Sequence, residues 1–156
     1  PDFADHCFID LFQGGALIRR VQRNAGDWVP PPGTWALPGE QVRYPEGHFC
    51  QRAMASRGPV FVADLPGAEG SNPAPSAPSL AIGKQVGVKS VLTTPLYARG
   101  TMIGVISFVT SGLTQRSEQF GAGDRDIICA VASHLAAAID TPPRSVRPGC
   151  ADVGDV

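Results

Sequence analysis

The chain has 156 residues, of which 43% are apolar and 17% charged, and its formal net charge is −1. This balance is typical of one folded domain and excludes a disordered chain. The near-neutral charge gives no basis for a nucleic-acid or membrane-surface partner, and no apolar run approaches the roughly 20 residues that cross a bilayer. We therefore expect a single domain that binds neither nucleic acid nor membrane.

The cysteines indicate the redox setting. Cys7, Cys50, Cys129 and Cys150 are far apart in the chain and form no CxxC pair. No cysteine and histidine stand at zinc-binding spacing, so we predict no metal site. Scattered cysteines in a mid-sized apolar domain are typical of reduced thiols, which favours a cytoplasmic location.

The first part of the chain predicts a β-hairpin followed by a long connector. Apolar runs at 6–12 and 16–24 flank two glycines, which is typical of two strands joined by a tight turn. The segment 25–47 is rich in proline and glycine and is interpreted as a loop. Both tryptophans of the chain lie in this loop, so we expect it to cover the sheet.

The middle of the chain predicts short elements separated by a low-complexity stretch. Residues 48–58 have helical spacing and end at a glycine, and residues 59–65 follow as a short strand. Proline, alanine, serine and glycine dominate 66–79, and 80–87 is predicted as a short helix.

The last part predicts a second hairpin and a long helix. Strands are expected at 90–98 and 102–110, and an amphipathic helix at 121–140. The helix residues predicted to share one apolar face are Ile127, Ile128, Val131, Leu135, Ala138 and Ile139. Residues 141–156 have no periodicity and are interpreted as a linker or flexible tail.

This order of elements predicts an α+β fold. We expect a central antiparallel sheet of five to six strands, with the long C-terminal helix on one face and loops and short helices covering a pocket on the other. Because side chains alternate along a strand, Ser107 should face the pocket, while Gly104 should let the helix approach closely. Asp10 and Arg19 are interpreted as solvent-facing strand residues.

Three stretches of the chain resemble the GAF family of signalling domains: "YPEGHFCQRAMASRGPVFVADL", "GVKSVLTTPLYARGTMIGVISF" and "FGAGDRDIICAVASHLAAAID". They carry, in order, a glycine-led short helix, a G-P-x-x-x-x-D strand, a strand with S-x-L-x-x-P-L, a glycine-containing strand and an F-x-x-x-D helix start. We therefore predict a GAF-like sensory domain over 1–140, preceded by a further helix in a longer protein, with 141–156 as a linker or tail.

The resemblance implies a non-catalytic, small-molecule-sensing regulatory domain of a bacterial signal-transduction protein, a phosphatase or a sensor kinase. It also implies a cytoplasmic homodimer that assembles through its terminal helices. The ligand and any cofactor remain unidentified at this point. The positions that match the family's pocket lining are Cys7, His48, Phe49, Lys84, Val88 and Ser107.

Two alternatives from other classes remain open. In the first, the pocket is vestigial and the domain only dimerises its host, which would be favoured if Trp28, Trp35 and Phe49 pack solidly into the sheet. In the second, Cys7 and Cys50 serve an oxidoreductase similar to the family's free methionine sulfoxide reductase. That enzyme needs a cysteine where this chain has "APSLAIGKQ", which argues against the second alternative.

Known ligand classes of the family receive little support from the residues. Bilin-binding relatives attach their chromophore through a Cys-His-like pair. The matching positions of this chain lie near Pro78 and Ser79 and lack that pair, so covalent attachment of this kind is excluded. The signature of cyclic-nucleotide-binding relatives is incomplete, since its Asn-Lys pair is absent and Phe61 and Asp64 are one residue too close. His48 is a weak candidate for a haem ligand, since no second ligand of suitable spacing stands nearby.

Overall fold

The computed structural model describes residues 3–24, 26, 29, 35–62, 87–112 and 120–140. The predicted short helix at 80–87 and Trp28 lie outside the described residues. Within the described part, the elements in chain order are β1 (His6–Gln13), β2 (Ala16–Asn24), β3 (Gln41–Val42), α1 (Phe49–Ser56), β4 (Val60–Val62), β5 (Ser90–Ala98), β6 (Thr101–Thr110) and α2 (Ala122–Asp140).

The strands form one antiparallel six-stranded sheet in the order β3-β2-β1-β6-β5-β4. The sheet, with α2 on one face and α1 on the other, confirms the predicted α+β architecture. The two long hairpins place their four strands side by side at the centre of the sheet, so that only the short strands β3 and β4 are edges.

Both hairpins turn through two residues with positive φ. Gly14 and Gly15 have φ values of 58° and 80°, and Arg99 and Gly100 have values of 49° and 79°. Two residues of positive φ are the turn geometry that matches the twist of paired strands, and glycine adopts it without steric cost. The first turn sets the register that places Asp10 opposite Arg19.

Gly104 permits a close approach between strands. A Cβ atom there would lie 2.1 Å from the backbone oxygen of Asp10 and 2.9 Å from the Cα atom of Leu11, both on β1. The expectation that this glycine makes room for the long helix is therefore wrong. It makes room for the neighbouring strand, because β1 and β6 come too close together at this point for any side chain.

Helix α2 covers one sheet face, here called the α2 face, through apolar contacts. The sheet supplies Leu92, Leu96, Ile106 and Phe108, and the helix supplies Ile128, Ala132, Leu135 and Ala136. Small alanines at the contact let a helix lie close to a sheet. The predicted apolar stripe was only partly right, because these helix residues remain exposed: Ile127, Val131, Ala138 and Ile139.

The opposite face, here called the lid face, is covered by α1 and by the segment of residues 35–47, here called the lid segment. Trp35 at the start of this segment meets the rings of Phe8 and His6 edge-on, at centroid distances of 5.1 Å and 5.3 Å. The described end of the connector, residues 35–47, therefore lies over the sheet, as expected from its tryptophan Trp35.

The C-terminal end of α2 is tied to the β5–β6 turn. Arg99 Nε lies 2.6 Å from Asp140 Oδ2, and the Arg99 side chain is 78% exposed. An exposed ion pair of this kind stabilises a fold only slightly, although the cation offsets a carboxylate at the negative end of the helix. Among the described residues, neither α1 nor α2 is long and apolar enough to span a bilayer.

Candidate functional site

Ser107 lies buried on the lid face, at the centre of the sheet. Its Oγ accepts a hydrogen bond from Thr93 Oγ1 of the neighbouring strand at 3.0 Å. It also lies 3.4 Å from Cys50 Sγ of α1. The polar interruptions at the centre of β5 and β6 therefore meet α1 and each other instead of water.

His48 caps the N-terminus of α1. Its Nδ1 accepts a hydrogen bond from the backbone N–H of Cys50 at 3.1 Å, and its ring stacks on Tyr44 at 4.4 Å. Burial, with a smaller contribution from the positive charge of Arg19, lowers the pKa of His48 to about 4. At neutral pH the ring is therefore uncharged, and because Nδ1 is an acceptor its proton is on Nε2.

Cys50 is held in an unreactive state. The side chain is almost completely buried, and burial raises the pKa of its thiol to about 12. The thiolate is the nucleophilic form of cysteine, so this thiol is almost entirely in its inert protonated form at neutral pH. Its role in the described structure is to bridge α1 and Ser107.

Three polar side chains form a buried network beside these residues. Asp10 and Arg19 are 1% and 5% exposed and lie directly opposite each other on β1 and β2. Arg19 Nε donates to Asp10 Oδ1, and Arg19 Nη2 donates to Asp10 Oδ2 at 3.4 Å. The Tyr44 hydroxyl donates to Asp10 Oδ2 at 2.5 Å and accepts from Arg19 Nη2 at 3.1 Å.

This network corrects the interpretation of Asp10 and Arg19 as solvent-facing residues. The hairpin itself contained the missing information, because a two-residue turn at Gly14 and Gly15 pairs Gln13 with Ala16 and therefore Asp10 with Arg19. Opposite charges directly across a hairpin are a sign of a cross-strand pair. The register was predictable from the turn, but the covering tyrosine was not.

Apolar side chains fill the rest of the lid face. Phe49 and Val88 pack with Trp35 against the buried cluster of Phe8, Val91 and Val109. The guanidinium of Arg19 lies 4.6 Å from the centre of the Phe8 ring, a cation–π distance. The described lid face is thus closed over by the protein's own aromatic residues.

The predicted pocket residues separate into three groups. His48, Phe49, Val88 and Ser107 lie together on the lid face. Lys84 lies outside the described residues. Cys7 does not lie with the others, because it packs against the Leu96, Ile106 and Ala132 cluster on the α2 face.

The placement of Cys7 also bears on the oxidoreductase alternative. Cys7 lies on one face of the sheet and Cys50 on the other, so the two thiols cannot join without unfolding. Burial raises the pKa of Cys7 to about 11, so neither sulfur is activated. Within the part of the chain that the structure describes, no group of three or more histidine, cysteine or acidic side chains is placed to bind a metal ion.

Comparisons with known proteins identify the class. The family model of the GAF domain matches residues 4–139, so the chain belongs to the GAF domain family, a family of regulatory sensory domains. Among curated proteins, no significant sequence match is found.

Solved structures agree on the fold. One similar structure is the GAF domain of a two-component sensor histidine kinase from Bacillus halodurans, with a TM-score of 0.60, 19% identity, and coverage of 88% of this chain and 82% of that one. Another is the GAF domain of a phosphoenolpyruvate-protein phosphotransferase from Coxiella burnetii, with a TM-score of 0.57, 19% identity, and coverage of 87% and 71%. A third is the second GAF domain of DevS from Mycobacterium smegmatis, with a TM-score of 0.56, 18% identity, and coverage of 86% and 79%.

Proposed function

We propose that this GAF domain senses a small molecule on its lid face and passes the change to an attached bacterial phosphatase or sensor kinase. The domain itself would perform no chemistry and would act in the cytoplasm, where its thiols stay reduced. Ligand binding would favour one arrangement of the lid segment and α1 over another, and the host would respond to that shift in population.

The polarity of the lid face is the observation that carries this proposal. Ser107, Thr93 and His48 are buried there beside the Asp10–Arg19 ion pair, whereas helix α2 packs on the other face through apolar side chains. The buried hydroxyls near the end of that other face bond each other and a backbone N–H, and no buried ion pair is described among them. Buried polar groups cost stability unless they are satisfied, so they are retained mainly where they serve specificity or function. A few convergent polar groups in an apolar wall are what a small-molecule site requires.

The proposal is tested by titrating the isotope-labelled chain with a panel of nucleotides, amino acids and organic acids and recording amide NMR spectra. We expect at least one compound to shift the amides of Thr93, Ser107 and Cys50 and to leave Ser133, exposed on α2, in place. The Ser107→Val variant should weaken that binding at least tenfold, and Ser133→Val should not. If no compound shifts the lid-face amides, the proposal fails.

A second candidate function is a dimerisation scaffold with a vestigial pocket. Trp35 and Phe49 pack into the sheet, which favours this alternative. Ile127 and Val131, one helical turn apart on α2, are 51% and 42% exposed and offer an apolar surface to a second copy. A sensor that signals through its terminal helices would use the same surface, so a homodimer is proposed under both functions.

Light scattering tests the proposed dimer. The wild-type chain should have the molar mass of a dimer. The double variant Ile127→Asp, Val131→Asp should be monomeric, because two charges would replace apolar contacts in the proposed interface. Ser133→Asp, exposed on another side of α2, is the matched control and should remain dimeric. A monomeric wild-type chain at high concentration would contradict the proposal.

A further inference from the structure

The Asp10–Arg19–Tyr44 network joins the sheet to the lid segment, and all of its charged groups come from the sheet. Both charged groups belong to adjacent strands of the sheet, and they are paired with each other. The lid segment contributes only uncharged groups, namely the Tyr44 hydroxyl and the carbonyl oxygen of Ala36, which lies 3.4 Å from Arg19 Nη1.

This division determines what happens when the lid segment lifts. The carboxylate and the guanidinium would stay paired, and water would replace the hydroxyl and the carbonyl as hydrogen-bond partners. Breaking an ordinary buried ion pair is unfavourable because it leaves one charge buried without a partner. Opening of the lid segment would leave no such unpaired charge. The network therefore favours the closed lid without forbidding the open one.

The backbone contacts of the lid segment point the same way. The N–H of Arg19 donates to the carbonyl of Glu40 at 2.9 Å, and the N–H of Gly39 donates to the carbonyl of Arg19 at 2.8 Å. Beyond these, β3 adds only two residues of pairing to the edge of β2. Such a short edge strand can separate while the central strands remain paired, which is local rather than global opening.

Opening would change which groups the lid face presents. Trp35 lies edge-on to Phe8 and His6, and its departure would uncover the Phe8 ring that the Arg19 guanidinium approaches at 4.6 Å. In the closed state this aromatic surface is already occupied by the protein's own tryptophan. Access to the lid face therefore depends on the lid segment.

We propose that Asp10, Arg19 and Tyr44 form a latch that holds residues 35–47, including β3, on the sheet and lets this segment open as a unit while the other five strands stay paired. The latch controls ligand entry only if the lid face binds a ligand, as proposed above. Its own behaviour is measured without a ligand, so failure of the latch and failure of the sensing function are distinguishable.

The test uses the matched pair Tyr44→Phe and Tyr97→Phe. Each variant removes one hydroxyl, and Tyr44 and Tyr97 are the only two tyrosines in the chain. Tyr97 is 36% exposed on β5, away from the network. Amide hydrogen exchange measured by NMR reports opening at Gly39 and Arg19, whose N–H groups bond across the lid–sheet junction, and at β6 for global unfolding.

Tyr44→Phe should speed exchange at Gly39 and Arg19 at least tenfold and leave β6 within twofold of wild type. Tyr97→Phe should change neither. Equal acceleration at Gly39 and in β6 would mean that Tyr44 only supports global stability, and unchanged exchange at Gly39 would mean that it does not hold the lid. Either result overturns the proposal.

Two further measurements keep the test decisive if Tyr44→Phe folds poorly. Arg19→Lys keeps the charge opposite Asp10 but lacks the planar fork that reaches both Tyr44 and Ala36, so it should also open the lid locally. In a Trp28→Phe background, Trp35 is the only tryptophan, and acrylamide should quench its fluorescence at least twofold more strongly in the latch variants. Unchanged quenching, or loss of the whole fold in Arg19→Lys, would refute the latch.

Discussion

The α2 face and the lid face are built from alternate residues of the same strands, yet among the described residues only the lid face adds a buried ion-pair network to the apolar packing of its covering elements. On the α2 face, Ile106 and Leu96 contact Ala132 and Ala136, and Leu92 contacts Ile128, all through apolar surface. On the lid face, the lid segment and α1 also pack through apolar side chains, but they add hydrogen bonds to buried polar groups. Apolar contact is non-directional, whereas hydrogen bonds depend on distance and angle.

This difference indicates that the two faces of the sheet contribute to stability in different ways. The α2 face supplies stability through area removed from water, which does not depend on one particular geometry. The lid face depends in addition on partners for its buried polar groups, because an unpaired buried polar group costs stability. A change that alters those partners therefore affects the lid face first, as expected of a regulatory surface.

The largest effect is expected where both faces depend on the same backbone. In Gly104→Ala, the new Cβ would lie 2.1 Å from the backbone oxygen of Asp10, and neither strand can move away cheaply. We expect a loss of about 4 kcal/mol or more in the free energy of unfolding, measured in denaturant. Gly123→Ala on α2 meets no atom within 4 Å and should stabilise by about 0.5–1 kcal/mol. A Gly104→Ala variant of wild-type stability would contradict the close strand approach.

Adjacent isoleucines on α2 sharpen the account of the α2 face. Ile128 is fully buried and Ile127 is 51% exposed. Ile128→Ala should lower the free energy of unfolding by about 3 kcal/mol, because it leaves a cavity, and Ile127→Ala by less than about 1 kcal/mol at concentrations where the chain is monomeric. Thermal and urea unfolding measure both. Equal costs for the two variants would show that α2 is rotated relative to the packing described here.

A pH dependence separates the lid face from the α2 face. Burial lowers the pKa of His48 to about 4, below its ordinary value of 6.5, so between these values the unfolded chain takes up a proton that the folded chain does not. Stability should therefore fall as the pH drops from 7 to 5, with His48 contributing about 2 kcal/mol of the loss.

The matched variant for this measurement is His48→Asn, because asparagine also caps helices but does not titrate. Urea unfolding at pH 7 and pH 5 should show a smaller loss in this variant than in wild type, and His134→Asn, exposed on α2, should behave as wild type. Burial also lowers the pKa of His6, which contributes in the same direction in all three proteins. An unchanged loss in His48→Asn would rule out the assigned role.

The smallest expected effect comes from two adjacent threonines on opposite faces. Thr93 donates to Ser107 on the lid face, whereas Thr94 pairs with Ile106, whose side chain lies on the α2 face. Thr93→Val should cost about 1 kcal/mol, because Ser107 loses a hydrogen-bond donor. Thr94→Val should be neutral or slightly stabilising, since it adds an apolar group to an apolar face. Chemical denaturation resolves the difference, and the reverse order would mean that the strand is flipped.

The elements were predictable from sequence because their signals are local. The pair Gly14 and Gly15 predicted the first hairpin, β-branched runs on both sides of "YARGT" predicted the second, and helical spacing predicted α1 and α2 within one or two residues. These features did not determine which residues of β1 face α2 and which face the lid segment. Cys7 was expected in the pocket, but Cys7, Ile9 and Leu11 form the apolar side of β1 and all pack on the α2 face.

The candidate site was predictable only where its contacts are short in sequence. His48 and Cys50 are two residues apart, and the cap follows from the helix start. Burial of Arg19 instead depends on Tyr44, which is 25 residues away on an irregular segment. No periodicity describes the path of such a segment, so the network became visible only in three dimensions.

The alternation of side chains along β6 has a mechanical meaning. Ser107, which touches α1, and Phe108, which packs beneath α2, are consecutive in the chain. Only one peptide plane therefore separates the two layers at this point. A small tilt of that peptide plane would move the Ser107 and Phe108 side chains together. A displacement of α1 therefore has a direct path through the sheet to α2.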